Sequence, residues 1–149
     1  MFRESTYNKV DSKGRLIIPT RFQSVLQTKQ SYGLMLSCLD GCLVAYPFDE
    51  WQKIEKKILE MAERSHAMRR FRRVFVGGAC ECRLDAQNRI LIPQTLRNYA
   101  KIETDVVMVG VLDHFEIWSK ESWDKECRAF DEEEMTKEEV KNEIAKLGL

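Results

Sequence analysis

The 149-residue sequence has no long apolar run, little proline and no net charge. It contains no stretch of 18 apolar residues, so we expect no membrane-spanning segment. Its first residues lack the apolar stretch of a secretory signal, which indicates a cytoplasmic protein. A chain of this length forms one domain or two very small ones and can bury roughly two-thirds of its unfolded surface. With 44% hydrophobic and 9% aromatic residues, the composition argues against wholesale disorder.

The sequence also lacks the marks of an enzyme or a metalloprotein. It has no glycine-rich phosphate loop, and neither His66 nor His114 has partners at a recognisable catalytic spacing. Five cysteines, an odd number, do not suit a disulfide framework. Cys80 and Cys82 would share one face of a strand, with a spacing too short for a typical zinc site. We therefore expect core thiols, no metal, no cofactor and no enzymatic activity; a zinc- or thiol-dependent enzyme is the weaker alternative.

The zero net charge hides an uneven distribution of charged residues. Residues 1–75 hold 14 Lys/Arg and 8 Asp/Glu, whereas residues 76–149 hold 10 and 16. The basic run Arg69–Arg73 is predicted to end a long helix, where cations complement the helix dipole. Four arginines exceed that need, so contact with phosphate or a partner is a second interpretation. The acidic run Asp131–Glu134 is most simply a solvated connector, with a regulatory or partner-docking role as the alternative.

An internal repeat is the most informative feature of the chain. The segment Asp11–Pro19 recurs as Asp85–Pro93 at an offset of 74 residues, and two single-residue gaps bring about 45 residues of each half into register. One such unit cannot bury its apolar faces alone, but two copies can bury them against each other. The repeat therefore predicts an α+β fold with a mainly β core, built as an intramolecular pseudo-dimer whose two turns lie on one common side.

Turn residues punctuate each half. Gly14 is free to take positive φ in the turn of the first half, and Asn88 tolerates the same conformation in the second. Asp40 and Gly41, between two apolar runs, predict a β-hairpin.

Three helix starts are predicted from capping-box spacing, at Thr20, at Asp49 and at Thr136. The second begins a long helix whose apolar side carries residues at helical spacing. These are Trp51, Ile54, Ile58, Met61, Ala62 and Met68.

The repeated turns carry residues suited to anion recognition. Asp11 and Arg15 flank a tight turn and can meet across it, as can Asp85 and Arg89. Pinning the turn is the simplest role for the two aspartates. Arginine binds phosphate or a guanine edge bidentately, which favours an anion-binding role for the two arginines.

The first half is the more basic of the two. Lys9, Lys13, Arg15 and Arg21 cluster within 13 residues, whereas Gln87 takes the place of Lys13 in the second half. Glutamine can still read a base edge but adds no charge. We expect the first half to contribute more affinity for a polyanion.

These motifs together resemble the MraZ family of bacterial regulators, encoded at the start of the division and cell-wall gene cluster. The resemblance covers the chain to about residue 126. Its motifs are Asp11–Pro19, Leu39–Cys42 with Tyr46-Pro47, Phe75–Ala79, Asp85–Pro93, and Ile117–Ser119 with Trp123.

The resemblance implies two SpoVT-AbrB units folded as a swapped-hairpin β-barrel with peripheral helices. Residues 5–51 and 82–126 would form the units, residues 52–81 a linking helix with the basic run, and residues 127–149 an acidic helical extension.

The family also implies a function and a set of site residues. Its members bind DNA sequence-specifically, form ring-shaped homo-oligomers and regulate the operon that contains their own gene. By this resemblance the protein binds double-stranded promoter DNA and is associated with the nucleoid. The residues implied to face DNA are Lys13, Arg15, Gln87 and Arg89, with Arg3, Lys9 and Arg83 near the phosphates and with Asp11 and Asp85 stabilising the turns.

An antitoxin-like module is the main alternative function. Such a protein would bind an operator through its barrel and a toxin through its acidic tail. Two complete repeats and an ordered helix argue against it, since antitoxins of this kind usually have one barrel half and a disordered tail.

Overall fold

A computed structural model describes residues 1–61 and 65–149. The chain forms two compact units, Met1–Ser119 and Lys120–Leu149. Within the described residues, no helix combines the length and the apolar character needed to cross a bilayer.

The two halves of the first unit repeat one order of elements, strand–strand–helix–strand–strand. The first half consists of β1 (Ser5–Lys9), β2 (Arg15–Ile17), α1 (Thr20–Thr28), β3 (Gly33–Leu39) and β4 (Cys42–Pro47). Two helices follow, α2 (Phe48–Glu60) and α3 (His66–Gly77). The second half consists of β5 (Cys80–Arg83), β6 (Arg89–Leu91), α4 (Gln94–Tyr99), β7 (Asp105–Gly110) and β8 (Phe115–Ser119).

The halves exchange their first strands. A six-stranded antiparallel sheet has the order β1-β7-β8-β4-β3-β5, so β1 pairs with a strand of the second half and β5 with a strand of the first. The strands β4 and β8 join the halves at the centre, where Leu43 pairs with Ile117. The exchange places strands of both repeats in one antiparallel sheet, and the predicted α+β class is confirmed.

The six-stranded sheet is open rather than closed. Its edges are β1 and β5, and no ladder joins them in residues 1–61 and 65–149. A separate two-stranded ribbon of β2 and β6 lies across the core. The structure therefore shows the exchanged strands but not the closed barrel that the resemblance implied.

The core lies between the sheet and the β2–β6 ribbon. Leu16 and Ile90 are directly opposed at the centre of the ribbon and fully buried. Three aromatic rings from different parts of the chain meet beside them. Phe2 lies 5.3 Å from both Phe22 and Phe115, which are 4.8 Å apart between ring centroids.

The predicted long helix is two helices. Met61 takes an extended conformation (φ −73°, ψ 134°) and ends α2, and Ser65 begins α3 by accepting a hydrogen bond from the Met68 amide. Trp51 of α2 stacks on Phe75 of α3 at 5.3 Å. Met68 therefore does not continue the apolar side of α2, and the predicted position of Ala62 lies outside the described residues.

The predicted capping boxes at Thr20 and Asp49 are wrong. Pro19 and Pro47 occupy the N-cap positions of α1 and α2, with ψ near 144° and 152°. A proline holds φ in a helix-compatible range, so each helix begins at the next residue. Thr20 and Asp49 lie inside the first turn, where Asp49 instead accepts a hydrogen bond from Lys29 Nζ at 3.0 Å.

The second unit is helical. It consists of α5 (Lys120–Ala129), a π-helical turn (Phe130–Glu134) and α6 (Glu138–Ala145). The capping box predicted at Thr136 is wrong, because Lys137 is the N-cap residue of α6 and Thr136 Oγ1 donates to Glu133 O instead. In α5 and α6 the described side chains are all at least partly exposed.

Candidate nucleic-acid interface

The first repeated turn is organised by the carboxylate of Asp11. One of its oxygens accepts hydrogen bonds from the amides of Lys13 and Arg15, both at 2.9 Å. The other accepts from Arg15 Nε at 2.9 Å. Backbone bonds from Asp11 N to Arg15 O and from Gly14 N to Asp11 O close the turn. Gly14 has φ +86°, a conformation that suits glycine.

The second turn reproduces this network. Asp85 accepts from the amides of Gln87 (2.8 Å) and Arg89 (2.9 Å) and from Arg89 Nε (2.8 Å). Asn88, at φ +59°, takes the left-handed position of Gly14. Two five-residue segments that differ at three positions thus form the same turn, because the Asp, the Arg and the positive φ are retained.

The aspartates orient the arginines without enclosing them. Hydrogen bonds to the carboxylates, the Arg15 and Arg89 amides first among them, lower the pKa of Asp11 and of Asp85, so both remain ionised at neutral pH. Each carboxylate engages the Nε of its arginine. The two terminal nitrogens of each guanidinium take no part in that bond and suit bidentate recognition of an external acceptor.

Both arginines lie on the outward face of the β2–β6 ribbon. Arg15 pairs with Leu91 and Arg89 pairs with Ile17, while the alternate positions face the core. Ile17 and Leu91 are 54% and 58% exposed. The face therefore presents two guanidinium groups and two apolar side chains.

Each turn is held by the other half of the chain. Ile92 N donates to Gly14 O, and Ile18 N donates to Asn88 O, both at 2.9 Å. Four residues of strand separate these two rows, which places the turns about 13 Å apart along the ribbon. The common side predicted for the two turns is thus one continuous ribbon that bears a turn at each end.

The structure brings some of the other predicted residues to the turns. Lys13 and Gln87 are exposed at the turn tips. Lys9 and Arg83 are exposed at the last positions of β1 and β5, just before the turns. Arg83 also forms an ion pair with Glu81 at 2.9 Å.

Arg3 does not join this group. It precedes β1 at the end opposite the turn, next to the bridge between Phe2 and Leu112. Five strand residues, roughly 17 Å, lie between it and the turn end of β1. Arg21 is likewise engaged elsewhere, in an ion pair with Glu4.

One basic residue at the first turn was missed by sequence reasoning. The Nε of Arg97 donates to Ile92 O at 3.0 Å, and a Cβ on Gly14 would lie 2.8 Å from the Arg97 Cζ. At the matching place in the other half, Gln23 Nε2 donates to Ile18 O at 2.7 Å. The signal was the change from Gln23 to Arg97 at the 74-residue offset.

The turn residue and its neighbour differ together between the two halves. Where the turn has a glycine, its neighbour is a long arginine; where it has Asn88, the neighbour is the shorter Gln23. The absent side chain of Gly14 leaves the space that the Arg97 guanidinium occupies. The first turn therefore has Lys13, Arg15 and Arg97 around it, whereas at the second turn Gln87 and Gln23 take the places of Lys13 and Arg97.

The cysteines and histidines lie apart from the turn tips. In the described part of the chain, no group of three His, Cys, Asp or Glu residues is placed to hold a metal. Burial raises the pKa of the Cys82 thiol to about 12, so it stays protonated at neutral pH. His114 stacks on Tyr46 at 4.4 Å and bonds to Asp113, while His66 is the exposed first residue of α3.

Comparison with known proteins bears on the repeat. The model of a family of MraZ proteins, described as antitoxin-like, matches this chain twice, at residues 1–74 and 75–143. The second match begins 74 residues after the first, which is the offset between the two turns.

Curated relatives match the chain over most or all of its length. The transcriptional regulator MraZ of Desulforapulum autotrophicum is 53% identical over 149 residues, which is all of both chains. That of Desulfosudis oleivorans is 43% identical over 149 residues, again all of both chains. That of Haemophilus influenzae is 45% identical over 126 residues, 83% of each chain.

Proposed function

Since this chain belongs to the MraZ family, we propose that it is a transcriptional regulator that binds promoter DNA sequence-specifically. The observation that carries the proposal is the pair of matched turns, each of which holds one arginine by its Nε on the outward face of the ribbon. An arginine fixed in this way loses little conformational freedom when it binds, and its free end matches the acceptors of a guanine edge.

The exposed apolar residues of the ribbon complete a base-reading face. The ribbon is two strands wide, a form that the major groove of DNA admits. Arg15 and Arg89 reach guanine edges, and Ile17 and Leu91 contact thymine methyl groups or the apolar edges of neighbouring bases. Gln87 bonds to a base edge, as the residue that replaces Lys13 in the second turn.

Phosphate contacts position the ribbon and provide most of the salt-dependent affinity. Lys9, Lys13 and Arg83 carry this role, since they are exposed beside the turns. Arg97 adds a cation to the first turn. Arg3 lies at the far end of β1, so its contact, if the DNA reaches it, is with more distant phosphates.

The two DNA-reading units correspond to residues 5–51 and 82–126. In each, the turn precedes a strand of the ribbon, and the exchanged strand ties it to the other unit. In this proposal the sheet and the ribbon together wrap the core as a swapped-hairpin β-barrel of the SpoVT-AbrB type. Residues 52–81 link the units, and residues 127–149 extend beyond them.

Assembly into a ring explains how so small a face acts on a promoter. A single subunit offers few charged contacts, too few for tight binding at cellular salt. A ring of identical subunits presents several ribbons, and closely spaced DNA repeats engage adjacent ones at high effective concentration. The curvature of the ring requires either bending of the DNA or distortion of the ring.

The cellular role in this proposal is control of the operon that contains the protein's own gene, in the division and cell-wall cluster. The protein acts in the cytoplasm on nucleoid DNA, and it is a regulator rather than an enzyme, in line with the names of its relatives. The antitoxin-like alternative would require a small basic protein that copurifies with the chain.

Fluorescence anisotropy with labelled DNA from upstream of the gene tests this function. We expect tight, salt-sensitive binding that is at least about thirty-fold weaker in the Arg15→Ala/Arg89→Ala variant, since each bidentate base contact is worth about 1–3 kcal/mol. Arg15→Lys/Arg89→Lys keeps the charge but not the planar fork, so it should lose discrimination between sites more than general affinity.

The controls are scrambled DNA and the Lys56→Ala/Lys57→Ala variant, which removes two exposed cations from α2. Binding to scrambled DNA with equal affinity would show that the protein binds polyanions without sequence specificity. Unchanged binding by the double arginine variant would contradict reading through the turns.

A further inference from the structure

Four arginines of α3 have no role in the turns. Arg69, Arg70, Arg72 and Arg73 lie in the middle of the helix, whose last turn, Val74–Gly77, has no basic residue. The negative end of the helix dipole lies in that last turn, so the dipole does not account for them. Arg70 and Arg73, three positions apart, share a helix face, and their like charges repel each other. An anionic partner would relieve that repulsion.

The arginines border two hollows. One, of about 330 Å³, is lined by Arg69, Arg72, Arg73, Val76 and Gly77, and none of these described residues bears a carboxylate. The other, of about 250 Å³, is mainly apolar and includes Arg70. Its other lining residues are Cys38, Leu39, Ala67, Phe71, Val74, Phe75 and Tyr99.

This face is open to a partner. Arg70 and Arg73 are exposed, and neither forms an ion pair with any other residue that the structure describes. Val74 and Tyr99 are 58% and 41% exposed. The surface therefore combines free positive charge with an apolar border, which suits an acidic amphipathic segment.

The arginine face lies away from the turns. Ser37 Oγ donates to Phe75 O and anchors α3 on β3. Ser37 is four residues along β3 from Gly33, the residue that pairs with Arg83 beside the second turn. Four strand residues span about 13 Å, which favours a ligand other than the DNA held at the turns.

The chain itself contains a segment of the complementary kind. Asp131, Glu132 and Glu133 have no ion-pair partner among the described residues, in contrast to Glu134, which pairs with Lys137 at 3.1 Å. In α6 and just beyond it, Val140, Ile144 and Leu147 recur at intervals of four and three residues, which places them on one side. Acidic and apolar groups thus occur together in the second unit.

We propose that the acidic C-terminal unit of one copy docks on the α3 surface of a second copy. Asp131–Glu133 engage Arg70 and Arg73, and the apolar side of α6 covers the hollow beside Phe71 and Val74. Such a contact joins two different surfaces and therefore generates a ring or a chain of subunits. The inference rests on the proposed self-assembly and not on DNA recognition.

Charge reversal in the full-length protein tests the contact. One variant carries Arg70→Glu/Arg73→Glu, and the other carries Asp131→Lys/Glu132→Lys/Glu133→Lys. We expect each alone to fall to the chain mass of 17.5 kDa in light scattering. A one-to-one mixture, and a single chain with all five changes, should recover assemblies of several chain masses. Lys56→Glu/Lys57→Glu, with the same charge change on α2, should assemble as the natural chain does.

The other outcomes overturn the proposal. Variants that keep the natural assembly mass would show that other surfaces hold the subunits together. Recovery in the five-fold variant but not in the mixture would show that the contact forms within one chain. Loss of DNA affinity by Arg70→Glu/Arg73→Glu at unchanged mass would assign the arginines to phosphate. Anisotropy on the same samples reports DNA binding separately, so failure of the contact does not count against the regulator. Circular dichroism verifies that every variant is folded.

Discussion

At the scale of single residues, one carboxylate determines each turn. Asp11 and Asp85 each accept three hydrogen bonds from their own turn and direct one guanidinium outward. The residue with positive φ is Gly14 in the first turn and Asn88 in the second. The side chain beside the turn also differs, being Arg97 in the first case and Gln23 in the second. The guanidinium of Arg97 can lie against the first turn because Gly14 has no side chain.

Arg97→Gln should weaken promoter binding several-fold and lower the salt slope by about one, because one phosphate contact is lost. Folding should be preserved, since Gln23 makes the equivalent hydrogen bond to Ile18 O in the other half. Salt-dependent anisotropy measures both quantities. Gln94→Ala, on the same helix, is the matched control. An unchanged salt slope would contradict a role for Arg97 at the DNA.

At the scale of elements, each turn and its strand of the ribbon depend on ionised aspartate. The lowered pKa of both carboxyls means that the folded state holds the charged form more strongly than the unfolded state does. Their contribution to stability is complete above the unfolded pKa of about 3.9 and is lost as the pH falls through the lower folded values.

The stability difference between the natural chain and Asp11→Asn/Asp85→Asn should therefore narrow on acidification. Asparagine is uncharged at every pH, whereas the natural aspartates become uncharged only when they are protonated at low pH. Urea unfolding at intervals from pH 7 to about pH 3 provides the measurement. Gln94→Ala, which removes no ionisable group, is the control and should give a stability difference that stays constant with pH. A difference that is constant with pH would show that the charge of the aspartates does not stabilise the turns.

At the scale of the whole molecule, the exchange of first strands makes the two halves one structure. Strand β1 is hydrogen-bonded to the second half and β5 to the first, and each turn receives an amide from the other half. Neither repeat retains its edge strand or its ribbon partner without the other. Residues 1–119 are thus expected to unfold as one unit although the sequence contains two.

Leu16→Ala tests this cooperativity. Leu16 belongs to the first half and is fully buried, so the substitution should cost about 2–5 kcal/mol. Native-state hydrogen exchange should show an equal loss of protection in β3 of the first half and in β7 of the second. Leu59→Ala, at a site of α2 that is 71% exposed, should leave both unchanged. Protection lost from β3 alone would mean that the halves unfold independently.

The parts of the fold predicted correctly from the sequence are those specified locally or by repetition. Asp40 and Gly41 form the expected hairpin turn with φ of 54° and 81°. The prediction of one long helix was wrong. The periodic apolar residues continue past Met61, which suggested that the helix does too, but Ser65 is of a residue type that favours the N-cap and begins a second helix. The predicted helix starts at Thr20 and Asp49 were wrong because Pro19 and Pro47, one and two residues earlier, occupy the N-cap positions.

The sequence by itself determined the repeat, the turns and the residues that can recognise an anion, because these depend on residue type and on near-neighbour spacing. Only the tertiary structure decided which side chains share a surface. Burial on one face of the ribbon leaves Ile17 and Leu91 outside beside Arg15 and Arg89. Packing between the halves brings Arg97 to Gly14, a residue 83 positions earlier. Contacts of this kind arise when strands from distant parts of the chain close one core, which no local pattern records.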